Sequence, residues 1–137
     1  MPLDPARIAD TRSWLTKANM DCEAAAFELT AEPPFVEDIV FHAQQAAEKA
    51  LKAYLAWNDI PFRKTHDLAE IGRQCAAIDP SLEPLLVRAA RLTEYSWKFR
   101  YPGDAEEPTR EEAERALVLA REVVDAILVR MPPEVRA

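Results

Sequence analysis

Apolar residues recur at spacings of three, four or seven through five stretches of this chain, and prolines stand at the boundaries between the stretches. No other feature constrains the fold as much. Proline breaks a helix interior but is accepted in a first turn, so the prolines divide the chain into helices and connectors. Alternating polar and apolar runs of the kind strands show are absent, and glycine occurs only twice. At 137 residues the chain has the length of one domain, which buries roughly two thirds of its unfolded surface without a disulfide or metal. The expectation is a single all-α domain over 1–137, ordered from about 5 to 130 with short tails.

Asp4-Pro5 caps and opens a helix whose stripe is Ile8, Leu15, Ala18, Cys22, Ala25 and Leu29, and Glu32-Pro33-Pro34 stops it. Val40, Ala43, Ala47, Ala50, Tyr54 and Trp57 form the second stripe, ending near Asn58. Ala46 and Ala53 widen its small-residue surface, which predicts the central helix of the bundle. Asp67 with Glu70 reads as a capping box for a short helix reaching about Ala77. Leu82, Leu85, Leu86, Ala89, Leu92, Tyr95, Ser96 and Phe99 then predict a long helix ended by Pro102-Gly103. Thr109 with Glu112 caps the last helix, which runs to about Arg130 before Pro132-Pro133 begins a frayed tail. The expected architecture is an up-and-down bundle of four long helices plus one short helix.

Several function classes fall away. No apolar run approaches the ~20 residues of a membrane span. The start Met1-Pro2-Leu3-Asp4 has no signal-peptide character, so a cytoplasmic location is expected. A net charge of −7 argues against general DNA coating, which rests on cationic phosphate contacts, and leaves room only for a local nucleic-acid patch. Cys22 and Cys75 read as buried, reduced thiols. Scattered histidines and cysteines support no metal centre, and two glycines make no phosphate loop, so no cofactor is expected. Trp14, Trp57 and Trp97 lie on or beside the stripes and are expected in the core; exposed together they would mark an interface.

Gln44-Gln45-Ala46-Ala47-Glu48-Lys49-Ala50-Leu51-Lys52-Ala53, then Lys64-Thr65-His66-Asp67-Leu68, then Arg100-Tyr101-Pro102, and a closing helix with Glu112-Ala113, follow one another in an order and spacing that resembles the HEPN domain family. The resemblance covers nearly the whole chain. It implies a bundle of four to five helices, a homodimer, a prokaryotic source, and work beside a nucleotidyltransferase-like partner in a toxin–antitoxin pair. Members with ribonuclease activity carry an arginine followed, after four to six residues, by a histidine. Counting from Arg100 gives Ala105, Glu106 and Glu107, so the motif histidine is missing here.

Arg100 and Tyr101 are the candidate nucleotide- or RNA-binding pair, a guanidinium for phosphate beside a ring for a base; the alternative is ordinary helix termination. Lys64 and His66 are candidate phosphate contacts, set against structural capping by Asp67. His42, Gln44, Gln45, Glu48, Lys49 and Lys52 are expected on a solvated or partner-facing surface, with Glu48 and Lys52 as an i,i+4 pair. Asp21, Glu23 and Glu28 are expected to face solvent, although a carboxylate near Arg100 could pair with it. Three functions remain open: a non-catalytic homodimeric module binding nucleotide, RNA or a partner protein; a metal-independent endoribonuclease toxin using Arg100, Tyr101 and His66; and a purely structural subunit.

Overall fold

The computed structural model describes residues 3–103 and 106–136, and the regular structure within them is helical. Met1, Pro2 and Ala105, which entered the reading of the chain start and of the missing histidine, lie outside the described residues. Asp4 accepts the Ala6 amide at 3.0 Å and Pro5 opens α1 (Pro5–Leu29), as an Asp-Pro pair dictates. The proline break leads into α2 (Val36–Trp57). Glu28 meets His42, Asp21 meets Lys49, and Trp14 faces Lys52. Rising numbers on one helix meet falling numbers on the other, so α1 and α2 are antiparallel.

Asp67 accepts the Ala69 amide at 2.9 Å to cap α3 (Leu68–Ile78), which settles its part as a capping residue. The expected long fourth helix is broken. A 3₁₀ turn at Pro80–Leu82 leads into a short α4 (Glu83–Ala89), followed by seven residues of 3₁₀ helix at Ala90–Ser96. The buried positions give the reason: Leu86, Ala89, Leu92 and Tyr95 fall every third residue. A 3₁₀ helix keeps i and i+3 on one line, whereas an α-helix would rotate them off the core. Thr109 accepts the Glu112 amide to open α5 (Arg110–Leu128). The Glu112 carboxylate accepts from the Tyr95 hydroxyl, tying α5 to the 3₁₀ segment. The tail expected to fray forms α6 (Pro133–Arg136) instead, because Met131 and Val135 are buried and α6 packs on α1.

α2 is the centre of the bundle, in contact with α1, α3 and α5. Ala43, Ala46, Ala47, Ala50 and Ala53 are fully buried, and their small side chains let neighbours approach from several sides. Trp14 and Trp57 are half-buried against the core, but Trp97 is exposed, contrary to expectation. Cys22 and Cys75 are free and buried, and burial pushes their thiols up to about 11 and about 12, so neither is a ready nucleophile. Among the described residues no helix is long and apolar enough to cross a membrane, and no group of three His, Cys, Asp or Glu could hold a metal ion.

Candidate functional site

Phe99 has φ of +68°, a left-handed conformation that costs a bulky residue free energy. Its ring holds it there, buried and stacked on Tyr95 with centroids 6.3 Å apart. The chain turns at this point, and residues 100–103 are exposed. Arg100 consequently crosses to the start of α2, where its guanidinium lies 4.0 Å from the Phe41 ring centroid and 3.4 Å from Asp38 Oδ1. Trp97 and Tyr101 flank it on the same segment, 61% and 72% exposed. A guanidinium lying on one ring, with two exposed aromatics on the same segment, offers a charge for phosphate and platforms for bases.

Behind Arg100 runs a charged seam between α1 and α2. Asp21, expected in solvent, is buried, with Lys49 Nζ at 2.7 Å and His42 Nδ1 at 2.8 Å. Glu28, also expected in solvent, is half-buried, with His42 Nε2 at 3.5 Å from its Oε1. Burial first, then the hydrogen bond and charge of Asp38, push Glu28 up to about 7, and His42 only partly opposes this. Glu23 does face solvent, held by Asn19. A carboxylate does pair with Arg100, and it comes from α2 as Asp38 rather than from α1.

A second polar cluster lies further along α2. Gln44, Glu48 and Lys52 are 0%, 3% and 7% exposed, which corrects the expectation of a solvated face. Glu48 accepts from Lys52 Nζ at 3.0 Å and Gln44 Nε2 at 3.0 Å, and its Oε1 lies 2.7 Å from His66 Nδ1. Burial pushes the Glu48 carboxyl up, but the hydrogen bonds from His66, Gln44 and Lys52 outweigh it and hold the group below its ordinary value. Lys52 Nζ sits 5.6 Å and 5.7 Å from the ring centroids of Trp14 and Phe62, which replace its lost water. His66 stays largely open to solvent beside exposed Lys64.

The predicted site residues therefore divide into two groups. Arg100 contacts the start of α2, with Tyr101 next to it in the chain, and His66 contacts the middle of α2, with Lys64 two residues before it. Asp38 and Glu48, the α2 carboxylates that Arg100 and His66 contact, are ten residues apart, about 15 Å along the helix axis. Asp38, Phe41 and the partial burial of Glu28 and His42 were missed. The signal was in the sequence: Asp38, His42, Gln45, Lys49 and Lys52 are spaced four, three, four and three apart, which puts them on one side of a helix. They line one face, and α1 packs against it at His42, Lys49 and Lys52.

No curated protein and no solved structure matches the chain. The family model described as HEPN domain matches residues 11–130, from the second turn of α1 to just past the end of α5. A match over nearly the whole length, on a helical bundle built around the Gln44–Ala53 stretch of its central helix, places this chain in the HEPN domain family.

Proposed function

We propose that this HEPN domain is a homodimeric binding module that holds a phosphate of a nucleotide or single-stranded RNA on Arg100, with Trp97 and Tyr101 stacking on bases, and that it does not cleave what it holds. The observation that carries the reading is the setting of Arg100. Among the described residues it pairs with exposed Asp38 at 3.4 Å and lies on the Phe41 ring, and the exposed aromatics Trp97 and Tyr101 stand close to it in the chain. A phosphate can displace a carboxylate held that loosely, since surface ion pairs contribute at most about 1 kcal/mol.

The ribonuclease alternative has no histidine at the motif spacing from Arg100. Metal-independent cleavage needs acid and base groups titrating near neutrality on one phosphate. Neither Glu106 nor Glu107 supplies an imidazole, and the α2 carboxylates that Arg100 and His66 contact are about 15 Å apart along the helix axis. A second reading, docking of a nucleotidyltransferase-like protein as in a toxin–antitoxin pair, is favoured by the exposure of Phe27, Phe35, Trp97 and Tyr101, aromatic surface of the kind interfaces bury. Fluorescence anisotropy with a single-stranded RNA separates the two. RNA binding by wild type that is lost in Arg100→Ala and weakened in Trp97→Ala is the expected result. Absence of RNA binding in wild type would turn the site over to a protein partner.

A further inference from the structure

His66 is held at one ring nitrogen and open at the other. Its Nδ1 lies 2.7 Å from Oε1 of buried Glu48, whose carboxylate also accepts from Gln44 and Lys52. Those bonds keep Glu48 ionised, so Nδ1 carries a proton and donates it. Nε2 has no partner among the described residues, and the side chain is 62% exposed. The loop does not depend on the ring alone for its docking: the His66 carbonyl accepts from Gln44 Nε2, and the Leu68 amide donates to Thr93 Oγ1. The surrounding charges are matched. Lys52 pairs with Glu48 and Arg63 with Glu70, and exposed Lys64 offsets Asp67, whose Oδ1 accepts the Ala69 amide. An anion therefore meets no net repulsion here, although the chain as a whole carries −7.

Arg100 and His66 also lie over one face of α2. Arg100 lies on Phe41, and His66 is bonded to Glu48, seven residues further on. Residues seven apart return to the same side of a helix after two turns, about 10 Å along the axis. Half-buried Gln45 stands between them on that side. The separation that keeps Arg100 and His66 from sharing one phosphate suits two phosphates of one strand. At ~3.4 Å per stacked nucleotide it is about three nucleotides, and fewer in an extended strand.

We propose that His66 is a second phosphate contact on the same face as Arg100, so that the ligand of this domain is a single-stranded polynucleotide rather than a mononucleotide. This rests on the reading of Arg100 as a phosphate site. With Nδ1 committed to Glu48, the ring meets a phosphate oxygen as the imidazolium, through Nε2–H, and the carboxylate behind it fixes the direction in which the ring points. Exposed Lys64, two residues earlier, adds a cation at that end of the strand. A mononucleotide reaches one of the two contacts, whereas a strand of about four or more nucleotides reaches both.

The test is anisotropy at pH 6, across a salt series, of two dye-labelled single-stranded RNAs without terminal phosphates: a dinucleotide with a single phosphodiester, and an octanucleotide. Circular dichroism checks the folding of every variant. His66→Gln, whose amide can still donate to Glu48, should lose about tenfold in octanucleotide affinity, the effect of one charge-assisted hydrogen bond, and leave the dinucleotide unchanged. Its log–log salt slope for the octanucleotide should be shallower than that of wild type by about 0.7, one phosphate contact on a single strand. Lys64→Ala removes a side chain that makes no hydrogen bond or ion pair among the described residues. It should flatten the same slope, and it keeps the test available if His66→Gln fails to fold. Arg100→Ala should lose the dinucleotide and most of the octanucleotide binding. Octanucleotide affinity and slope unchanged in His66→Gln and Lys64→Ala would overturn the second contact and leave Arg100 standing. An equal loss on both RNAs in His66→Gln would assign the ring to the fold alone and overturn the proposal as well. If Arg100→Ala binds the octanucleotide like wild type, or wild type binds neither RNA, the Arg100 reading fails and the two-contact strand with it.

Discussion

Glu48 and Lys52 form an ion pair with little access to water, so truncating one partner leaves the other charge desolvated. Lys52→Met should cost about 3 kcal/mol in urea unfolding, and adding Glu48→Gln should recover most of it. If the single variant unfolds like wild type, the pair is not as buried as described. Glu28 carries the opposite kind of stress. Its folded value of about 7 lies above an ordinary 4.5, so the folded chain holds this proton more tightly than the unfolded chain does. The resulting stabilisation is complete below about 4.5 and disappears as pH rises through about 7. Glu28→Gln should therefore gain melting temperature relative to wild type between pH 5.5 and pH 8.5, and an unchanged difference would contradict the assignment. Neither residue declared its burial in the sequence. A glutamate followed four residues on by a lysine reads as a solvated helix pair, and only the packing of α1, Trp14 and Phe62 over that face removes the water.

Helix boundaries were legible where a local group makes them. Asp4, Asp67 and Thr109 each accept an amide within three residues, so capping chemistry alone placed the starts of α1, α3 and α5. The segment after α4 was misread because its stripe was fitted to an α-helix, although the buried residues repeat every third position. Hydrogen bonds in a 3₁₀ helix are less well aligned, so the amides of 90–96 should exchange with deuterium faster than those in the middle of α2. Equal protection would mean that the segment is α-helical in solution. Gly72 in α3 is a position the fold does not need as glycine. A Cβ there would meet Leu86 Cβ at 3.4 Å, an ordinary contact, and its φ is not left-handed. Gly72→Ala should raise unfolding stability by about 0.5–1 kcal/mol through helix propensity. Destabilisation would show that α3 and α4 pack more tightly than this spacing implies.

At the scale of the whole molecule, −7 net charge and one engaged guanidinium set the character of binding. Each phosphate contact on a single strand contributes a log–log salt slope of about −0.7, so a site built on Arg100 should be weakly salt-dependent beside a nucleic-acid-coating protein. The all-α bundle was readable from proline placement and periodicity, and the family from the motif order. The site was only half readable. Arg100 and Tyr101 could be named, but what Arg100 touches depends on the turn at Phe99 and on a helix sixty residues earlier in the chain. The most direct measurement of the central claim is a long incubation of labelled single-stranded RNA with wild type and Arg100→Ala in chelator, reading complex and cleavage products from the same samples. Intact RNA held by wild type and released by Arg100→Ala is the predicted result. Cleavage by wild type that disappears in Arg100→Ala would contradict it and make the domain a ribonuclease.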